Sequence, residues 1–308
     1  APKKYLLAVF SLFCFVAIAC SQRNNNDWPA AVFVGSTPCD AGVKTMLQIP
    51  AGTACDFIRW TLTIGTGSED SSYQLTLTYG ESQPNTLGFK NGGEKRTYKG
   101  RYACRMNNNG RLKGEVFLFL PENAFEAISL LKLNENLLHL LTPAGNLMTG
   151  NGGWSYTLNR DGQNAKTTPS PIVISWSAMV KDTSTQVIYD GRTPCQDFAA
   201  EHQMNVRSSC FKLKWQLVLN RDAVSHEPTT YTLRKIMDNE PRNVTGKWQA
   251  VRGVPGNANA LVYELDPDKP NESISLLVGD ENVLFFLNHD RELYVGNGDF
   301  SFTLNKRP

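Results

Sequence analysis

Apolar and polar residues alternate along several short stretches of this chain with a period of two. Ile58, Trp60, Leu62 and Ile64 are separated by Arg59, Thr61 and Thr63, and Tyr73, Leu75, Leu77 and Tyr79 by Gln74, Thr76 and Thr78. Leu213, Trp215, Leu217 and Leu219 alternate with Lys214, Gln216 and Val218, and Trp154, Tyr156 and Leu158 with Ser155 and Thr157. Successive side chains on a strand point to opposite faces, so each stretch is expected to be a strand with one buried face rather than a helix. Clusters of Gly, Asn and Pro at 81–85, 91–94, 106–110 and 255–259 separate the stretches as hairpin turns and loops.

Shifted by 146 to 156 positions, the chain matches itself. Gly35-Ser36-Thr37-Pro38-Cys39 falls on Gly191-Arg192-Thr193-Pro194-Cys195, Cys55 and Trp60 on Cys210 and Trp215, and Tyr98-Lys99-Gly100-Arg101-Tyr102 on Val244-Thr245-Gly246-Lys247-Trp248. The last third aligns without a gap: Ile128-Ser129-Leu130-Leu131 on Ile274-Ser275-Leu276-Leu277, Gly150-Asn151-Gly152 on Gly296-Asn297-Gly298, and 154–159 on 300–305. The expected organisation is a repeat over 28–160, a linker over 161–181 and a second repeat over 182–308. Short strands with hairpin-length connections imply an antiparallel meander, and closing it removes the exposed edges. The expected fold is therefore all-β: two tandem small antiparallel β-barrels of about eight strands, joined by a Pro-containing linker at Thr167-Thr168-Pro169-Ser170-Pro171. That linker is expected to transmit little packing, so the repeats should unfold separately. The apolar run 172–180 is expected to add a strand to one of them.

The N-terminus reads as a signal. Lys3 and Lys4 precede an apolar core from Tyr5 to Ile18 that stops at Ala19-Cys20-Ser21-Gln22. This is the layout of a secretory signal peptide over 1–19. The small residue before Cys20 resembles a lipobox, although Ala17 stands where leucine is commoner, and it makes Cys20 the expected site of lipidation. Polar residues to Asp27 would tether acyl chains, palmitate among them, to the first folded residue over 20–27. The expected location is the bacterial outer membrane. The chain carries 31 basic and 29 acidic residues, and loss of Lys3 and Lys4 leaves it near neutral, which gives no electrostatic reason to expect a nucleic-acid partner.

The whole repeat resembles the N-terminal barrel domain of the NlpE family, lipoproteins of copper homeostasis and envelope stress whose barrel is lipocalin-like in shape. The resemblance rests on Gly35-x-x-Pro38-Cys39 after the first strand, the Tyr-rich and Gly-aromatic strands, and the closing Leu158-Asn159-Arg160 or Leu304-Asn305-Lys306. It implies an envelope lipoprotein. That family typically carries Pro-Cys-x-x-Cys, whereas Cys39 is followed here by Asp40-Ala41-Gly42 and Cys195 by Gln196-Asp197-Phe198, so copper binding by that dithiol is not carried over. Cys39 with Cys55, and Cys195 with Cys210, recur at near-equal spacing and are expected as disulfides, with a thiolate copper site as the alternative. Cys104 has no counterpart in the second repeat and is expected to be a free thiol.

No other constellation recurs. His139, His202, His226 and His289 do not match between repeats, and Glu201/His202 or His289/Asp290 would be adjacent residues on opposite faces of a strand. Gly150-Asn151-Gly152-Gly153 is expected to be a turn, and Trp60, Trp215, Trp248 and Tyr102 to be core. No enzyme, metal or cofactor is expected, and ligand-binding residues are not identified. The expected function is a non-enzymatic envelope lipoprotein acting in protein interaction or envelope sensing. The alternative is a binder of small apolar molecules or copper that uses the barrel mouth and the Cys39 and Cys195 loops.

Overall fold

A computed structural model describes residues 31–65, 71–107, 112–121, 127–162, 170–176, 183–237, 240–269 and 272–308. The expected signal segment, Cys20 and the tether lie outside the described residues. Among those residues no helix is long and apolar enough to cross a membrane.

The first repeat runs through β1 (Ala31–Pro38), β2 (Phe57–Ile64), β3 (Ser72–Gly80), β4 (Glu94–Asn107), β5 (Leu112–Pro121), β6 (Ile128–Asn134), β7 (Leu137–Leu140) and β8 (Thr157–Arg160). Each strand pairs antiparallel with its sequence neighbour, and β8 returns to β1 to close the barrel. A short β9 (Ser175–Trp176) pairs with the start of β5, in line with the extra strand expected from the apolar run after the linker. The second repeat is the closed meander β10 (Gln186–Thr193), β11 (Leu213–Arg221), β12 (Pro228–Met237), β13 (Glu240–Val254), β14 (Asn257–Leu265), β15 (Ile274–Val278), β16 (Val283–Leu287) and β17 (Thr303–Lys306). The molecule thus holds the two tandem eight-stranded antiparallel barrels that the alternation implied.

The recurrent motif has a physical reason at each position. A Cβ on Gly35 would lie 2.8 Å from Leu158 Cδ2 and 2.9 Å from the Thr157 carbonyl oxygen, and one on Gly191 would lie 2.5 Å from the Thr303 carbonyl oxygen. Only glycine lets the closing strand approach. The following threonine serves the buried tryptophan: Trp60 Nε1 donates to Thr37 Oγ1 at 2.8 Å, and Trp215 Nε1 to Thr193 Oγ1 at 2.9 Å. Each indole therefore packs in the core without an orphaned donor.

After the cysteine of each motif comes a six-residue helix, α1 (Ala41–Met46) or α2 (Gln196–Glu201). Asp40 caps α1 by accepting from the Val43 N–H at 3.0 Å, while Val43 and Met46 enter the core of the first barrel. Phe198 of α2 does the same in the second. Disulfides Cys39–Cys55 and Cys195–Cys210 close these loops over 16 and 15 residues. Loops of that length are stabilised by about 3 kcal/mol in the chain-entropy model. Cys104 is disulfide-bonded as well, so the free thiol expected there is not found. A cysteine unique to one repeat leaves no recurrent pair from which to read its bond.

The linker does not leave the barrels independent. A third core combines Val116, Leu131, Leu137, Leu141 and Leu147 of the first repeat with Val262, Leu277, Val283, Leu287 and Leu293 of the second. Every one of these ten residues lies 146 positions from its own equivalent. The polar contacts across the seam are reciprocal as well. Gly150 N–H donates to Asn305 Oδ1 and Gly296 N–H to Asn159 Oδ1, both at 2.7 Å. Thr157 Oγ1 meets Thr303 Oγ1 at 2.9 Å, Ser155 meets Ser301, and the ring of His139 meets that of Phe285 edge-on. The seam is an isologous interface within one chain, with a pseudo-twofold relation between the barrels. Ile172 and Ile174 are buried in this shared core. Asn257 Nδ2 donates to the Ile174 carbonyl at 2.6 Å, and Trp176 Nε1 to the Gly279 carbonyl at 2.9 Å. The expectation that the linker transmits little packing is therefore corrected.

Candidate functional site

The interior of each barrel is packed with its own side chains. Trp60, Tyr79, Tyr156 and Phe119 are fully buried in the first, and Tyr189, Phe198 and Phe286 in the second. Trp60, Trp215 and Trp248 are core residues as expected, and the Trp248 indole donates to the Asn220 carbonyl at 2.8 Å. Tyr102 is half-buried and donates its hydroxyl to the Gly65 carbonyl at 3.1 Å. Among the described residues, two places on the outer surface bring polar groups together.

One lies beside α2. Glu201 ends that helix and His202 follows it, so the two are not on a strand as the sequence suggested. His289 arrives from the loop after β16, and the ligand-type atoms of Glu201, His202 and His289 all lie within 4.8 Å of one another. Glu201 Oε1 accepts from the His289 backbone N–H at 2.6 Å and lies 3.5 Å from His289 Nδ1. The imidazole of His202 stacks on Phe198, and burial pushes its pKa down to about 4, with further lowering from His289. It is neutral at pH 7. Lys235 is also close enough to bear on His202, so a cation here meets one positive neighbour. The equivalent positions in the first repeat are Met46, Leu47 and Pro143, which is why no recurrence pointed to this cluster.

The other lies at one end of the seam, in an open cleft of about 400 Å³ between the barrels. Its floor is the outer face of β10–β12. Arg192 stands directly opposite Lys214, and Gln216 opposite Arg234 on the next strand. Its wall is the loop before β8. Asn151 Oδ1 accepts from Gly153 N–H at 3.0 Å and Trp154 N–H at 3.1 Å, the turn expected of this Gly-rich segment. Trp154 stacks on Phe57 with ring centres 4.8 Å apart, and the Arg192 guanidinium lies 5.4 Å from the same indole's centre. A wider cleft of about 750 Å³ runs along the β13–β14 turn past His289 and Arg291. There Arg291 is already held by Glu264 and donates to the Gly253 carbonyl at 3.0 Å.

Among the residues singled out from sequence, Cys39, Cys55, Cys195 and Cys210 form the two expected disulfides, which leaves no thiolate at those positions for a metal. Cys20 lies outside the described residues. The sequence reading missed Arg192, Lys214 and Arg234. The signal available for them was the placing of like charges at facing positions, and it becomes visible only once the β10–β11 register is known. No protein-family model, curated protein or solved structure matches the chain.

Proposed function

We propose that the protein is a non-enzymatic lipoprotein of the bacterial envelope, held in the outer membrane by acyl chains on Cys20, and that it acts as a protein-interaction or envelope-sensing module. The observation that carries this reading is the filling of both barrels: recognition then falls to the surfaces around the seam rather than to a cavity. The signal-like N-terminus and the resemblance to NlpE barrels support the same setting. Envelope proteins are the expected partners, and the balanced charge favours them over nucleic acid. Palmitate labelling with membrane fractionation tests the anchor: label and membrane partition are expected for the natural chain and lost in Cys20→Ala. Equal membrane partition of an unlabelled Cys20→Ala chain would contradict it.

The apolar-ligand alternative gains no support from interiors packed with aromatic residues. Metal binding is favoured by one observation, the convergence of Glu201, His202 and His289. Two imidazoles and a carboxylate suit a divalent transition metal such as zinc. Titration with Zn(II) separates the readings: stoichiometric binding lost in His202→Ala would favour the metal site, and none would leave the cluster as packed surface.

A further inference from the structure

Because the seam is built from equivalent residues, a difference between its two ends is a difference in chemistry on one architecture. At the first-repeat end, Arg59 donates to the Leu87 carbonyl at 2.7 Å and pairs with Asp299, while Ser36 Oγ donates to the Gly298 carbonyl at 2.7 Å. At the second-repeat end the equivalents of Arg59, Asp299, Ser36 and Gly298 are Lys214, Gly153, Arg192 and Gly152. The carboxylate has gone and a second cation has been added. On the neighbouring strand Arg234 supplies a third, where the first repeat has Thr76.

This arrangement costs stability. Like charges directly opposite on paired strands are destabilising, and Arg192 and Lys214 occupy such a pair. Among the described residues none of the three cations forms an ion pair. The one acid in the cleft, Asp190, is taken by Arg307 Nε at 2.7 Å and accepts from Gln216 Nε2 at 3.3 Å. Burial lowers the pKa of Arg192, and burial followed by Arg192 and Lys214 lowers that of nearby Lys212. Positive charge is thus concentrated in the cleft, with Arg192 partly stripped of water, and among the described residues no ion pair offsets it.

We propose that the cleft formed by Gly153, Trp154, Arg192, Lys214, Gln216 and Arg234 binds a phosphate-type oxyanion, with the substituent of the phosphoester lying along the Trp154 ring. Guanidinium forks and an ammonium converging on one space are the donors such an oxyanion takes, the arginines in two-point contact and the lysine as a point charge. A bound anion would also offset the Arg192–Lys214 repulsion. The cleft has room for more than a bare phosphate. The ligand class covers a small phosphoester and a phospholipid headgroup alike, and the proposal stands whether or not Cys20 carries lipid.

The experiment uses the full chain carrying Cys20→Ala, so that no acyl chain contributes to membrane binding. It is titrated calorimetrically with inorganic phosphate and floated with vesicles of phosphatidylcholine, with or without phosphatidylglycerol. Saturable binding of phosphate, of phosphatidylglycerol vesicles or of both is expected, weakened at least tenfold by Arg192→Gln and by Gly153→Asp. The second substitution restores the carboxylate of the other end, and a Cβ at Gly153 would meet nothing closer than Asn151 Oδ1 at 3.1 Å, so it changes charge without emptying the fold. Asp299→Asn, at the neutral end, should leave binding unchanged. Phosphate binding without flotation assigns a small phosphoester, and flotation that requires phosphatidylglycerol assigns a headgroup. Absence of both, or binding indifferent to Arg192→Gln and Gly153→Asp, overturns the proposal.

Discussion

Trp60 and Trp215 are both buried, and each donates from its indole to a threonine two residues before a disulfide cysteine. A few residues along, Met46 and Leu47 occupy the places of Glu201 and His202 and share none of their chemistry. The same contrast holds at the seam, where leucine meets its equivalent leucine while the rims carry Arg59 with Asp299 at one end and Arg192 with Lys214 at the other. Packing holds interior and seam to one solution in both repeats, because a close-packed interior tolerates little change of volume. Solvated rims carry no such constraint. Both clusters of chemical interest, the histidine cluster and the basic cleft, are built mainly on the second repeat, and the first contributes one wall of the cleft.

The largest effect should come from charging the seam. Leu277 is fully buried in the shared core, and Leu277→Asp would leave an unpaired carboxylate there. A loss of more than about 4 kcal/mol is expected. Because the seam belongs to both barrels, hydrogen exchange should rise in the first repeat as well as the second. Exchange confined to the second repeat would break the comparison.

Next in size is a pH effect whose buried source in the first repeat has no titrating equivalent in the second. His139 is buried and burial pushes its pKa down to about 4, whereas its equivalent is Phe285, which does not titrate. The unfolded chain takes up a proton near pH 6.5 that the folded chain refuses until about pH 4, so stability should fall as pH drops through that window and level off below it. The fall is about 3 kcal/mol. Denaturant midpoints between pH 7 and pH 4 should show it, and His139→Phe should flatten the slope. His202 acts in the same direction and leaves a residual slope. An unchanged slope in His139→Phe would contradict the assignment.

The smallest effects concern the rims. Arg59 and Asp299 are partly exposed, so Asp299→Asn should cost about 1 kcal/mol or less. Lys214→Gln relieves the facing charge and should be neutral or stabilising by a few tenths of a kcal/mol. Thermal midpoints that moved equally and in the same direction would remove the asymmetry between the ends.

The alternation at 58–64 and 73–79 made β2 and β3 legible, because one face of each is buried and the other is not. The duplication and the recurrent cysteines likewise gave away two barrels and their disulfides. The seam was written in the sequence too, but in a different form. Leu137-Leu138-His139-Leu140-Leu141 and Val283-Leu284-Phe285-Phe286-Leu287 do not alternate, since one face fills a barrel and the other faces the second barrel. A continuous apolar run is the mark of a strand buried on both sides. The clusters at Glu201 and Arg192 were not legible, because they depend on strand register and on loops brought together from distant parts of the chain.

The central claim is that equivalent residues join the two repeats into one folding unit, and calorimetric unfolding of the chain with Trp60→Ala or Trp215→Ala tests it most directly. Each truncation should cost about 3 to 5 kcal/mol through lost burial and an unfilled cavity. The account predicts one cooperative transition lowered by either substitution, since loss of one barrel exposes the apolar seam of the other. Two transitions, the first moved only by Trp60→Ala and the second only by Trp215→Ala, would mean that the shared core does not couple the barrels.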